Sequence, residues 1–228
     1  MSRAFESIRV GPWQLPQRFV MAPLTRNRAG EGQAPDALNA VYYGQRASAG
    51  LIISEGTQPS AVGQGYLDTP GIHSAAQVEG WRAVADAVHA GGGRIVIQMM
   101  HAGRIAHPDN KNGLESVAPT TVATRPRRAT SSSASAIAAP GQIVTATGQQ
   151  GYVVPRALET DEIAGVVAEF VHAARQAIEA GVDGVEVHAA NGYLVHQFLA
   201  PSSNTRTDGY GGSPQARARF AVEVTTAI

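Results

Sequence analysis

The strongest constraint in this chain is a unit that recurs along it: an amphipathic helix, a glycine stop, then a short apolar strand running out into polar residues. Around Asp36–Ala49, Leu38, Val41, Tyr42 and Gln45 fall at helical spacing, Gly50 closes the turn, and Leu51-Ile52-Ile53-Ser54-Glu55-Gly56 follows as a strand. Ser74-Ala75-Ala76-Gln77 has the form of a capping box, in which serine and glutamine each satisfy a backbone amide near the other. Val78, Trp81, Val84 and Val88 continue that helix to Gly91-Gly92-Gly93, and Arg94–His101 is the next strand. A third helix is predicted from Thr160-Asp161-Glu162, carried by Ile163, Val166, Val167, Phe170, Ala174, Ala177 and Ile178. Gly181 ends it and Gly184–His188 follows as a strand. An earlier strand, Phe19–Ala22, and a fourth helix opening at Ser213-Pro214 complete four strands alternating with helices, which predicts a parallel sheet.

Two folds accommodate that alternation. An open doubly wound sheet would carry a G-x-G-x-x-G turn between a strand and a helix, and none occurs here. A (β/α)₈ barrel gathers functional side chains at the C-terminal ends of its strands, where this sequence has Thr25, Glu55 with Thr57, Gln98 with His101, and His188. The expected fold is therefore α/β, a partial TIM (β/α)₈ barrel. Residues 1–228 are its first four βα units and the N-terminal part of one domain, with a long insertion at about 102–159 after the third strand. That stretch is rich in Ser, Thr, Ala and Pro, including Thr130-Ser131-Ser132-Ser133-Ala134-Ser135. Structureless loops of such length are uncommon, so a lid or a small hairpin near Gln142–Thr147 is expected.

Composition narrows the function. Eighteen basic side chains balance eighteen acidic ones among 228 residues, so no net field would gather nucleic acid or an anionic membrane. The absence of cysteine removes disulfides and thiolate-held metals or clusters. No apolar run approaches the roughly 20 residues that span a bilayer, and the first residues lack a signal-peptide core, so a soluble, cytoplasmic protein is expected. His73, His89, His107, His172 and His196 show no His-x-x-x-His or carboxylate spacing, and no metal is predicted.

The period of two in a strand places Glu186 with His188 on one face of the fourth strand and Val185 with Val187 on the other. Val96, Gln98 and Met100 likewise share a side, so Gln98 is either an inward-pointing ligand group or a satisfied core amide. His188-Ala189-Ala190-Asn191-Gly192-Tyr193 places three hydrogen-bonding side chains within six residues at a strand end. Histidine and asparagine can donate to one oxygen, and a phenol can supply a proton, which together would polarise a carbonyl and protonate its neighbouring carbon. A polar loop with one capping side chain is the alternative. His101 and Arg104 would serve an anionic or electron-rich ligand or would be solvated. Arg125-Pro126-Arg127-Arg128 reads as a solvated loop, and Asp208-Gly209-Tyr210-Gly211-Gly212-Ser213-Pro214 as a turn into a capped helix.

Several blocks resemble the Old Yellow Enzyme family in its bacterial branch of N-ethylmaleimide and nitrate-ester reductases. They are Met21-Ala22-Pro23-Leu24-Thr25-Arg26, Tyr42 through Ile53, Ser54-Glu55-Gly56-Thr57, His188-Ala189-Ala190-Asn191-Gly192-Tyr193-Leu194, Gln197-Phe198-Leu199, Asn204-Thr205-Arg206-Thr207-Asp208 and Tyr210-Gly211-Gly212-Ser213. The resemblance implies FMN beside Pro23 and Thr25, with Gly56 allowing close backbone approach and Gln98 bonded to the ring. It further implies that His188 and Asn191 grip a substrate carbonyl and that Tyr193 protonates the α-carbon. Hydride would pass from NADPH or NADH through flavin to activated alkenes (α,β-unsaturated carbonyls) or to nitro and nitrate-ester compounds. Met100 stands where many relatives carry tryptophan. The resemblance also implies that the chain stops after the fourth βα unit, before the family's flavin-phosphate site. The alternative reading is a non-catalytic half-barrel that pairs with a complementary C-terminal half or with itself. A third, a lyase using Glu186 or His188 as base, would need no flavin.

Overall fold

A computed structural model describes residues 3–124 and 141–228. In chain order its strands and α-helices are β1 (Ile8–Val10), β2 (Trp13–Leu15), β3 (Val20–Met21), α1 (Ala37–Gly44), β4 (Leu51–Ile53), α2 (Ala75–Ala90), β5 (Ile95–Met99), β6 (Val117–Ala118), β7 (Gln142–Thr145), β8 (Gly148–Gly151), β9 (Arg156–Ala157), α3 (Ile163–Glu179), β10 (Gly184–Val187), α4 (Leu194–Leu199) and α5 (Pro214–Ala227). The basic tract at 125–128 and the serine tract at 130–135 lie outside the described residues. The chain divides into two compact units, one formed by Met1–Pro59, Asp68–Met99 and His172–Val187, the other by Ser60–Leu67, Met100–Val171 and His188–Ile228.

The first unit is built on a four-stranded parallel sheet in the order β10-β5-β4-β3. All five residues of β5 are buried, as expected for a central strand covered on both faces, and Gln98 is the one polar side chain among them. Helix α2 starts where the sequence places it: Ser74 Oγ accepts from the Gln77 amide and Gln77 Oε1 accepts from the Ser74 amide. Its stripe of Val78, Trp81, Val84, Ala85 and Val88 is buried, and Trp81 Nε1 donates to the Gly71 carbonyl at 3.0 Å. Helix α1 has a box of the same kind from Asp36 and Asn39, but it stops at Gly44, short of the predicted Ala49, and tight turns continue to Gly50. At the start of β10, Asp183 accepts from His89 Nε2, Arg94 and the Ile95 amide. Burial works against its charge, yet those bonds hold the carboxyl below its usual value.

The second unit joins a buried apolar cluster around Phe170, Phe198 and Phe220 to loops fastened by polar side chains. Phe198 stacks on Phe220 at 4.4 Å, and Phe170 meets Phe220 edge-on. Arg206 uses its whole guanidinium: Asp208 accepts from Nε and Nη2, the Pro119 and Leu158 carbonyls accept from Nη1, and Thr160 accepts from Nη2. Between β5 and α3, β6 pairs with β9 in parallel, and β7 and β8 form an antiparallel hairpin over Gln142–Gly151, which starts at the expected Gln142 and runs beyond the expected Thr147. Asn110 Nδ2 donates to the Val144 and Gly65 carbonyls, tying that hairpin to the loop at 60–67. Three elements escape the sequence reading: the β1–β2 hairpin, the two-residue β6–β9 pair and the six-residue α4.

Candidate functional site

In the sheet unit the candidates stand at the C-terminal ends of β3, β4 and β5. The ladder continues past β4: the Thr57 amide donates to the Gln98 carbonyl at 2.8 Å and the Gln98 amide donates to Ser54 Oγ at 3.0 Å. This pins Gly56 beside Gln98 in sequence register. Register also sets Gln98 opposite Glu186, and Gln98 Nε2 donates to Glu186 Oε1 at 2.6 Å. The side-chain parity read from the sequence therefore holds, and Glu186 is the partner that parity alone does not name. Thr25 is exposed, and its hydroxyl makes no hydrogen bond among the described residues; Pro23 is half-buried.

Glu55, buried at the end of β4, organises the loop that carries Pro23 and Thr25. Its Oε2 accepts from the Arg26 amide at 3.1 Å, and its Oε1 accepts from the Tyr43 hydroxyl at 3.3 Å. Desolvation raises the pKa of Glu55, with the Arg26 amide and the Tyr43 hydroxyl opposing it, and burial raises that of Tyr43. The carboxyl thus acts as a clamp between α1 and the strand-end loop.

In the loop unit, His188, Asn191 and Tyr193 lie within one turn. The His188 and Tyr193 rings meet at 4.9 Å between centroids. His188 Nδ1 accepts from the Ala190 amide at 3.4 Å, an arrangement that directs the ring N–H to Nε2. Asn191 is exposed with φ of 56°, and Gly192 follows at φ 87°. A left-handed pair of this kind favours asparagine then glycine for backbone reasons alone. Tyr193 caps α4, and its hydroxyl lies 2.9 Å from the hydroxyl of Tyr66.

Gln197 locks this turn to the segment after β5. Its Nε2 donates to the Gly192 and Ala102 carbonyls, and its Oε1 accepts from the Arg104 amide. Gly103, at φ 61°, is required there, since a Cβ would come within 2.3 Å of Gln197 Oε1. His101 is not solvated, and Arg104 is only partly so. His101 is buried, its Nδ1 accepts from the Gly103 amide, and burial, aided by the Lys111 charge, lowers its pKa to about 3. Arg104 is partly buried and donates to the Val122 carbonyl. Lys111 is buried with its ammonium on the Val62 and Glu115 carbonyls, and desolvation brings its pKa to about 8. Tyr66 and Lys111 left no mark that sequence reasoning could find, because single polar residues in loops carry no periodic signal.

Comparison with known proteins agrees with this architecture. The family described as NADH:flavin oxidoreductase / NADH oxidase matches residues 3–228, and the chain belongs to that family. A probable flavin mononucleotide-dependent alkene reductase of Leishmania infantum is 46% identical over 220 residues, covering 96% of this chain and 58% of that protein. The structure of morphinone reductase in complex with tetrahydroNAD superposes with a TM-score of 0.89 at 45% identity, over 100% of this chain and 60% of that one. The Old Yellow Enzyme homologue of Zymomonas mobilis gives 0.88 at 43%, over 99% and 59%. The chain thus spans little more than half the length of these relatives. The fold class is a partial (β/α)₈ barrel whose first four strands form the parallel sheet described above. No helix among the described residues is long and apolar enough to cross a membrane.

Proposed function

We propose that the protein carrying this chain is an FMN-dependent reductase of activated alkenes, the α,β-unsaturated carbonyls, with NADPH or NADH as hydride donor. The observation that carries the proposal is the approach of the His188 and Tyr193 rings, 4.9 Å between centroids, on a turn that also bears Asn191. The names of two relatives support the cofactors: one is described as flavin mononucleotide-dependent, and one is bound to tetrahydroNAD. Nitro and nitrate-ester compounds would draw on the same flavin hydride without the α-carbon protonation.

The sheet unit offers a donor set that fits a flavin. The unengaged Thr25 hydroxyl can donate to or accept from a ring atom, and the Gln98 carboxamide offers both polarities at a pyrimidine-type edge. Gly56 has no Cβ to block a flat ring, and Pro23 supplies an apolar contact. Flavin, when bound, supplies hydride to the substrate's β-carbon. His188 Nε2 and the Asn191 amide donate to the carbonyl oxygen and stabilise the negative charge that develops there as the double bond's electrons move toward it. Tyr193 transfers its hydroxyl proton to the α-carbon and is reprotonated from water, so the alkene gains one hydride and one proton.

Rapid-mixing kinetics of the holoprotein test this. Tyr193→Phe should leave flavin reduction by the nicotinamide intact and slow alkene reduction by about 100-fold, the lower end for loss of a general acid. Equal slowing of both halves would refute the role of Tyr193. His188→Ala with Asn191→Ala should weaken binding of phenols that mimic the oxyanion; unchanged affinity would remove the pair from that role.

A further inference from the structure

The geometry points to Tyr66 as a positioning residue for Tyr193: its hydroxyl donates to the Tyr193 oxygen, turns the Tyr193 proton outward and steadies the charge left when that proton is given away. This rests on the reading of Tyr193 as the proton donor. The two hydroxyl oxygens are 2.9 Å apart, and the rings meet edge to face at 6.4 Å with 89° between planes.

Both phenols are held from the same stretch of chain. The loop bearing Tyr66 is fixed at three carbonyls: Val62 accepts from Lys111 Nζ, Gly63 from the Ala102 amide and Gly65 from Asn110 Nδ2. Gly65 permits that seat, because a Cβ there would lie 2.6 Å from the Cβ of Ala102 and 2.9 Å from the Ile105 carbonyl oxygen. The Leu194 amide, next to Tyr193, donates to the His101 carbonyl at 2.9 Å. The hydroxyl contact is therefore imposed by backbone on both sides rather than chosen by two mobile side chains.

Chemistry settles which oxygen donates when it matters. Between two neutral phenols either polarity is possible, but a Tyr193 that has lost its proton can only accept. Burial, reinforced by the charge Tyr193 would carry, raises the Tyr66 pKa, so Tyr66 stays protonated throughout. A hydrogen bond to a charged acceptor is about twice as strong as one between neutral groups, so the contact stabilises the proton-transfer transition state more than the ground state. Tyr66 itself gives up no proton; water returns the one that Tyr193 lost.

Tyr66→Phe keeps the ring and deletes one oxygen. In the holoprotein we expect alkene reduction to slow about ten-fold, its solvent deuterium isotope effect to grow, and flavin reduction to stay as it was. A second readout needs neither cofactor nor turnover. With ¹³Cζ-labelled tyrosine, the Tyr193 resonance, assigned by its loss in Tyr193→Phe, should move in Tyr66→Phe, and the Tyr66 resonance should move in Tyr193→Phe. Absence of these reciprocal shifts, or an unchanged alkene rate and isotope effect, overturns the inference. If Tyr193→Phe alone leaves alkene reduction unchanged while the resonances still shift, the contact stands and the proton-donor reading of Tyr193 fails, taking this role of Tyr66 with it.

Discussion

The sheet unit and the loop unit place their candidate residues by different means. In the first, Gly56 and Gln98 stand where a hydrogen-bonded ladder puts them, over a core of aliphatic side chains such as Ile52, Ile95 and Ile97. In the second, His188, Asn191 and Tyr193 sit on a turn whose shape is set by side chains bonded to backbone: Gln197 on Gly192 and Ala102, and Asn110 and Lys111 on the loop at 60–67. A ladder shares its load over many equivalent bonds, whereas each of these polar side chains holds several unrelated segments at once. The loop unit should therefore be the more fragile to single polar substitutions, and the sheet unit to loss of volume.

The sharpest way to break that contrast is Arg206→Ala. The side chain is 9% exposed and binds Asp208, Thr160 and two carbonyls, so its loss leaves the Pro119 and Leu158 oxygens without that donor and Asp208 with only the Thr160 hydroxyl and the Tyr210 amide. We expect about 4 kcal/mol of destabilisation in urea unfolding, and a loss below about 1 kcal/mol would show the network to be ornamental. Next comes Ile97→Ala in the buried strand β5, expected to cost about 3 kcal/mol through lost contact and a cavity. A much smaller cost would mean that the sheet unit collapses around the void and is not the rigid partner in the comparison.

A pH titration of stability, read as the difference between the parent chain and a His101 variant, then probes the loop unit. His101 is held neutral with a folded pKa of about 3 against an ordinary 6.5. The unfolded chain thus binds the extra proton first as pH falls. The stabilising contribution is complete above about 6.5 and is lost between there and about 3, with a slope of up to about 1.4 kcal/mol per pH unit. His101→Asn should flatten that stretch of the stability profile, and an unchanged slope would assign the acid sensitivity elsewhere. The smallest effect is expected at Asn191→Gly. At φ 56° glycine is at ease, so stability should change by no more than about 0.5 kcal/mol, while affinity for phenolic ligands should fall. Retained affinity would mean that Asn191 is there only for its backbone.

The same division governs what the sequence disclosed. Ser74 with Gln77 and Ser213 with Pro214 announce helix starts through local chemistry, and the structure has both. The alternation around Gln98 and Glu186 gave their faces, but their pairing depends on how far β10 slides against β5, a non-local quantity that no short window contains. Helix α4 is six residues long, too short for a period to repeat, and β6 and β9 contribute two residues each. The β1–β2 hairpin left one clue in Gly11-Pro12, with Gly11 at φ 55°, but three-residue strands barely show alternation. The turn at 188–193 was conspicuous because its polar residues are contiguous. Tyr66, which meets Tyr193 across 127 positions of sequence, was not.

The pairing of β6 with β9 fastens both ends of the tract at 119–155 side by side, Val117 against Arg156 and Ala118 against Ala157, and Arg206 binds the carbonyls just beyond each strand, at Pro119 and Leu158. A loop whose mouth is already closed costs little to lengthen, since doubling its length adds only about 0.6 kcal/mol of closure entropy. In evolutionary terms the clasp separates what is inserted from what must fold. Sequence between residues 119 and 155 can be extended or redesigned while the stem, its arginine, and Val122 and Val144, whose carbonyls Arg104 and Asn110 hold, stay fixed.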